Sequence, residues 1–418
     1  MRRRFFAVGA AVVTMVAGLT LAGALTRTAD AATAPGSVNL TDHAIFNNPY
    51  TAARTAIQDY VISLIDGTDS GSTIRLSTYI YASATYRDAL LAAHDRGVNV
   101  QIVADSYNNP ASKTTWHQLQ DALGTNKSAA SYAITCAVDN GCVGTGIDHD
   151  KFFLFSNTWG KTKVFVQTSA NMIDHTDTGN SGLTAWNNAV VFFDEPTVYD
   201  AYVTRFTAMR DQNRATAYTS VTGTNAKVYF FPRAGGATTE NNTVLGVLDN
   251  VNCGGTNTTG GWGDNHLTSI HVAMYLFTDT AIAQKLWALD NAGCVVHVIR
   301  TNVGTDDDAA IAILNNCTAH NGVTIDSVHF RDSDNDETSP EKIGFIHSKY
   351  LVIDGYYDGS PNQRLVWTGS YNYTAGALRS NDEALLKISH HDDIFNAFQS
   401  NFATLNTYSY ATVQAGSC

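Results

Sequence analysis

Two stretches of the chain carry the same pattern of apolar and polar positions at an offset of 196 residues. Ile74-Arg-Leu-Ser-Thr-Tyr-Ile-Tyr81 lies on Ile270-His-Val-Ala-Met-Tyr-Leu-Phe277, and each run reads as a buried strand. Without a gap, the helix-period segment 86–96 falls on 282–292, Gly97 on Gly293, and the apolar run 98–103 on 294–299. Strand, helix, glycine stop and strand predict a right-handed βαβ crossover in each copy, with Gly97 and Gly293 just past the helix ends. A further helical pattern precedes each unit, at 50–65 and 242–251. Two more apolar strands follow, at 151–155 and 163–167 in the first copy and at 347–353 and 364–368 in the second. The copies meet near 215–225, a stretch of linker composition. The predicted fold is a duplicated, bilobal α/β sandwich, with one site between the two halves.

Composition fits a large buried core and excludes disorder: 44% of the 418 residues are apolar and only 15% charged. Residues 1–31 read as a secretory signal peptide and not as fold. They hold a basic Arg2-Arg3-Arg4, an apolar stretch from 5 to 25, and a small-x-small Ala29-Asp30-Ala31. The remaining boundaries are then 32–220 for the first half and 221–418 for the second, and the expected location is secreted. Without the four Arg and one Asp of the leader the chain has 22 basic and 37 acidic residues, a net charge of −15. That balance disfavours a nucleic acid as partner, since non-specific binding of a phosphate backbone needs a basic surface.

Six cysteines, at 136, 142, 253, 294, 317 and 418, read as disulfides in an exported chain. Only Cys136 with Cys142 is suggested by proximity. No CxxC pair or Cys/His cluster has zinc-ligand spacing, so no metal and no cofactor is expected. Asp332, Asp334 and Asp336 alternate like a calcium loop but lack its Gly and Glu, and read as a solvated acidic loop. The Gly-rich stretch 253–263 lacks a P-loop lysine and reads as a surface loop.

The candidate chemistry sits at corresponding points of the two copies. The second carries His347-Ser-Lys349-Tyr-Leu-Val-Ile-Asp354, then Gly369-Ser370-Tyr-Asn372, then Asn381-Asp382-Glu383. The first carries His149-Asp-Lys151 with Ser156 at the Asp position, Thr168-Ser169-Ala-Asn171, and Asn187 where the glutamate would fall. The histidines are 198 residues apart and the Ser-x-Asn segments 201. A lone His two residues from a Lys is ordinarily a satisfied core or edge residue. Two such pairs at equivalent points of a repeat, each followed by Ser-x-Asn, are not. Two lysines converging on one cleft repel unless an anion sits between them, so a phosphate is the expected ligand.

These motifs resemble the phospholipase D superfamily, whose hallmark is HxKxxxxD twice. The second copy is complete; the first departs from it at Ser156, Thr168 and Asn187. The resemblance implies phosphodiester cleavage without a metal, through a covalent phosphohistidine. It implies catalytic roles for His149, Lys151, His347, Lys349, Asn171, Asn372, Glu383 and Asp354, with Ser169, Ser370 and Asn187 in the substrate site. One histidine must be a neutral nucleophile and the other a protonated acid. If each is oriented from its own half, Glu383 favours His347 as the acid and Asn187 leaves His149 neutral as the nucleophile. The expected activity is that of a monomeric phospholipase D acting on a phospholipid substrate at a membrane surface. The alternatives are a nuclease of the same superfamily and a non-catalytic binding protein.

Overall fold

The computed structural model describes residues 38–174, 181–254, 266–301, 308–317, 320, 322–328 and 344–413. The leader, the acidic 332–336 segment and most of the Gly-rich stretch lie outside the described residues.

Each copy of the repeat forms one mixed sheet. The first runs His43–Phe46, Asn188–Phe192, Lys161–Thr168, Phe152–Thr158, Thr73–Thr78, Asn99–Ala104, Tyr132–Thr135. The second repeats that order as Ala226–Phe231, Glu383–Ile388, Ser360–Gly369, Lys349–Tyr357, Ser269–Met274, Val295–Thr301, Thr324–Val328, with Thr219–Thr222 and Tyr410–Val413 added at its edges. Thr73–Thr78 and Asn99–Ala104 are parallel, as are Ser269–Met274 and Val295–Thr301, so both predicted crossovers are present. Their helices, Ala84–Asp95 and Thr280–Asn291, are N-capped by Ser83 and Asp279, again 196 apart. Both end at glycines of positive φ, Gly97 at 90° and Gly293 at 105°. The presumed linker is partly structure: Thr219–Thr222 forms a hairpin with Ala226–Phe231, its backbone satisfied at the sheet edge.

The outer face of each sheet is covered by helices. Leu64, Leu90 and Leu119 fill the first outer core, and Val247, Leu286 and Ile311 the second. The inner faces share a single core with two long helices, Pro196–Asp211 and Asp392–Tyr408, in which Phe152, Phe165 and Tyr202 of one half join Tyr350, Phe398 and Phe402 of the other. Burying these large side chains at about 1.5–3 kcal/mol each makes the inter-half contact a core, so the halves cannot separate without unfolding. Disulfides join Cys136 to Cys142 and Cys253 to Cys294, and Cys317 is disulfide-bonded as well. Among the described residues no helix is long and apolar enough to cross a membrane.

Candidate active site

The histidine segments are held by the opposite half, and that fixes what each ring meets. Residues 147–149 run alongside 381–383: Asp148 and Asp382 form a parallel bridge, the Asp382 amide donates to the Ile147 carbonyl, and the His149 amide donates to that of Asp382 at 2.9 Å. Phe345–Ile346 pairs in parallel with Ala185–Trp186, and the amides of His347 and Ser348 both donate to the Trp186 carbonyl. Each histidine thus precedes the strand its motif leads into, in a segment clamped across the interface.

This crossing corrects the expectation that each histidine is oriented from its own half. His149 Nδ1 lies 2.9 Å from Glu383 Oε2, and His347 Nδ1 lies 3.0 Å from Asn187 Oδ1. Glu383 does not serve His347. Asn187 and Glu383 are nonetheless equivalent by sequence, 196 apart. The Ser169 hydroxyl donates to Asn187 Oδ1 at 2.8 Å, and Ser370 bonds Glu383 in the same way. The amide of Asn187 is fully used: its Nδ2 donates to the carbonyls of Ser181 and Gly182 at 3.0 and 2.9 Å. A carboxylate there would face two acceptors.

Lys151 and Lys349 are fully buried and each Nζ donates to the backbone carbonyl of its own histidine, at 2.7 Å for Lys151 and His149. Asn171 and Asn372 take up matching positions, each Oδ1 accepting a backbone amide, from Ile80 and from Leu276. Tyr79 and Tyr275, identical at the repeat offset, were not singled out from sequence. They stand at the mouth with ring centres 5.5 and 5.0 Å from His149 and His347, and 5.5 and 5.3 Å from the two lysine ammonium groups. Their identity in the aligned strands was the available signal.

Asp354, expected among the catalytic residues, is not at the phosphate position. It lies five residues beyond Lys349 on the same strand, hence roughly 16 Å away and on the opposite face. There it pairs in register with Ser269, at the start of the first strand of the crossover. In the first half Ser156 occupies the same place and accepts the Thr73 amide at 2.8 Å. The position fastens a strand end, which is why serine can replace aspartate. Thr168 in place of glycine is similarly explained. Gly369 has φ 152°, and a Cβ there would come within 2.2 Å of the Ala384 carbonyl. Thr168 instead donates its hydroxyl to the equivalent carbonyl of Asn188 at 2.9 Å.

Below the site lies a buried ionic cluster that the sequence reading did not identify. Arg205, from the helix Pro196–Asp211, meets Asp382 at 2.9 Å and Asp150 at 3.5 Å, tying the two halves together. Asp382 also accepts the amides of Val143 and Gly144, in the loop just beyond the Cys136–Cys142 bridge. Asp148 accepts the Asp150 amide and gives its own amide to Asp105. Burial pushes Asp148 well above the ordinary carboxylate range and Asp150 up to about 6.

Burial holds His149 well below its ordinary value, helped by the charges of Lys151 and Lys349. His347 is lowered well by burial and then by Lys349 and Lys151. Lys151 itself is pushed down to about 8 by burial, and Lys349 well down by burial and the neighbouring Lys151. Glu383 is pushed well up by burial, against the pull of Lys151. Each histidine feels the charge of both lysines, so the two motifs lie close to one another. An anion bound between them would favour the protonated form of each of these groups.

The family model described as "Cardiolipin synthase, PLD-like domain" matches residues 61–210 and 265–406, one segment in each half. No curated protein matches the sequence significantly. Among solved structures, phosphatidylserine synthase from Haemophilus influenzae Rd KW20 is similar with a TM-score of 0.54 at 12% identity, over 86% of this chain and 86% of that one. Polyphosphate kinase from Porphyromonas gingivalis is similar with a TM-score of 0.54 at 13% identity, over 88% of this chain but only 51% of that one. This chain therefore spans about half the kinase's length. At such identities the likeness establishes the fold alone. The family match covers more than half of the chain, in two copies that coincide with the two sheets and their crossed histidines, and the chain belongs to the phospholipase D superfamily of phosphodiesterase-type enzymes.

Proposed function

We propose that the protein is a secreted phospholipase D, hydrolysing a phospholipid headgroup ester to phosphatidic acid and the free alcohol with His149 as nucleophile and His347 as general acid. The observation that carries the assignment of roles is the crossed pairing of His149 with Glu383 and His347 with Asn187. Positive charge grows on a histidine that attacks phosphorus and vanishes from one that gives up a proton. A carboxylate is most valuable under the first and would hold back the second. Glu383 lies under His149, which supports His149 as the nucleophile, for a reason opposite to the one the sequence suggested.

With the proton shared between Glu383 and His149 on Nδ1, the Nε2 lone pair attacks phosphorus. The P–O bond to the headgroup breaks as His347 Nε2–H protonates the leaving oxygen. Lys151, Lys349, Asn171 and Asn372 hold the non-bridging oxygens as charge builds on them. Neutral His347 then takes a proton from water, whose oxygen displaces His149 from phosphorus and releases phosphatidic acid. The two lysines supply the charge that a metal would otherwise bring.

The lipid substrate is supported by the lipid synthase named in the family model, by a phosphatidylserine synthase of the same fold that this chain matches over 86% of both lengths, and by the net charge of −12. The test is incubation of the purified mature protein in EDTA with phosphatidylcholine or phosphatidylethanolamine vesicles and, separately, with plasmid and single-stranded DNA. Release of choline or ethanolamine with phosphatidic acid is the expected result. Cleavage of DNA alone, or loss of activity in EDTA with recovery on adding zinc or calcium, would replace this reading.

A further inference from the structure

Outside the active site the second half carries a concentration of cations that its own fold does not neutralise. Lys227 and Lys387 are direct cross-strand partners on Ala226–Phe231 and Glu383–Ile388, so both side chains project from the same face of the sheet. Like charges placed directly opposite are destabilising. The proximity is felt, since Lys227 adds to the burial that lowers Lys387. Among the described residues no carboxylate is within ion-pair distance of Lys227, Lys387 or Arg233; Asp358 is the acid whose charge Lys387 does sense.

A pocket of about 340 Å³ opens at this point, and the residues lining it include no carboxylate. Tyr218, Tyr229 and Tyr357 form its walls, with Lys227 and Arg233 along them. Each cation rests on a ring: Lys227 at 4.9 Å from the Tyr229 centre, Arg233 at 4.5 Å from Tyr218, and Lys387 at 5.0 Å from Tyr357. Arg233 is held in place by a hydrogen bond of 3.1 Å to the Thr243 hydroxyl. Lys227 and Arg233 line the open volume, and Lys387 stands beside it, opposite Lys227 and over the ring of the lining Tyr357; in a chain of net charge −12 three cations so placed suit a multiply charged anion. Lys387 stands four residues from Glu383 on one strand, roughly 13 Å along it, so the pocket is a separate place from the phosphodiester site.

We propose that this pocket is a second anion site, which binds a phosphate monoester group between Lys227, Lys387 and Arg233 with the tyrosine rings against whatever the phosphate is carried on. The volume falls in the range of small-ligand sites and exceeds what a bare phosphate fills. The chemistry recognised is a phosphate monoester dianion, and its source is either a lipid headgroup or phosphate free in solution, which leaves part of the volume to solvent. The proposal stands whether or not the phospholipase reading is correct.

The test compares the full mature chain with its Lys227→Gln/Lys387→Gln variant. Calorimetric titration with inorganic phosphate should find one site fewer in the variant, or one site weakened by at least ~10-fold. Co-sedimentation with phosphatidylcholine vesicles containing phosphatidic acid separates the sources. Loss of phosphate binding with vesicle binding unchanged assigns the site to free phosphate, and loss of both assigns it to the headgroup. Identical titrations and identical vesicle binding for the two proteins would overturn the proposal. Stability gives an independent reading: the variant should melt higher than the parent in phosphate-free buffer, and phosphate should raise the parent's Tm by more. A variant that melts lower and responds equally to phosphate would also overturn it.

Discussion

Replacing Glu383 by Gln removes one charge from beneath His149 and little else. Glu383 is fully buried, and the amide is nearly the same shape and can still accept from His149 Nδ1 and from Ser370. What is lost is the stabilisation of the cation that His149 becomes when phosphorus is bound to Nε2. At 2.9 Å and an effective dielectric of about 20, the Coulomb attraction is at most about 6 kcal/mol. The difference between a charge-assisted and a neutral hydrogen bond sets a lower figure, about 1.5 kcal/mol. At 1.36 kcal/mol per decade the burst of covalent intermediate should slow by ~10- to 10⁴-fold. The assay is rapid-mixing kinetics with a p-nitrophenyl phosphodiester, whose leaving group scarcely needs the general acid, so the readout isolates attack by His149. Thermal stability should not fall, because a buried carboxylate is exchanged for a neutral amide. A burst within a few-fold of the parent would refute the placement of positive charge on His149, and so would slow turnover explained entirely by a lower Tm.

Asn187→Asp should not repair the asymmetry: its carboxylate would confront the carbonyls of Ser181 and Gly182, costing about 1–3 kcal/mol of stability without a gain in turnover, measured by denaturation and steady-state rates. Lys151 must be cationic to hold the phosphate, and burial pushes it down to about 8. As pH rises through that value kcat/KM should fall, with an alkaline limb no higher than about 8, while the limb in kcat moves up because bound phosphate favours the ammonium; a kcat/KM limb near that of a free lysine would contradict this. Arg205→Met leaves Asp382 and Asp150 buried without their cation and should cost about 3–5 kcal/mol near pH 8. Asp150, held at about 6 in the fold, takes up a proton below that pH, more readily still without Arg205, so the loss measured by urea titration should shrink at pH 5.

Much of this architecture could be read from the sequence because the duplication is close to exact in spacing. The offset that aligned the strands also relates Ser83 to Asp279, Tyr79 to Tyr275 and Asn187 to Glu383. An offset says which residues are equivalent; it does not say which of two equivalent residues a given histidine meets. That depends on the exchange of short segments across the interface, 147–149 on 381–383 and 345–346 on 185–186, and such pairings leave no periodic signal. Asp354 is a different case. Its five-residue distance from Lys349 already implied the opposite face of a strand, and the motif outweighed the geometry. The cluster around Arg205 was out of reach, since its members come from four separate segments, brought together only by the packing of the Pro196–Asp211 helix between the sheets.

The central claim is that a phosphodiester is cleaved through a covalent bond to His149, with a carboxylate from the other half beneath it. The most direct measurement is rapid quenching of the enzyme during turnover of a phosphatidylcholine labelled in its phosphate, followed by peptide mapping. The account predicts label on the peptide carrying His149 and none in His149→Ala; with a labelled p-nitrophenyl phosphodiester, which needs no acid to form the intermediate, label should accumulate further in His347→Ala because water is no longer activated. Label on His347 would reverse the two roles, and turnover without any labelled histidine would contradict the covalent mechanism itself.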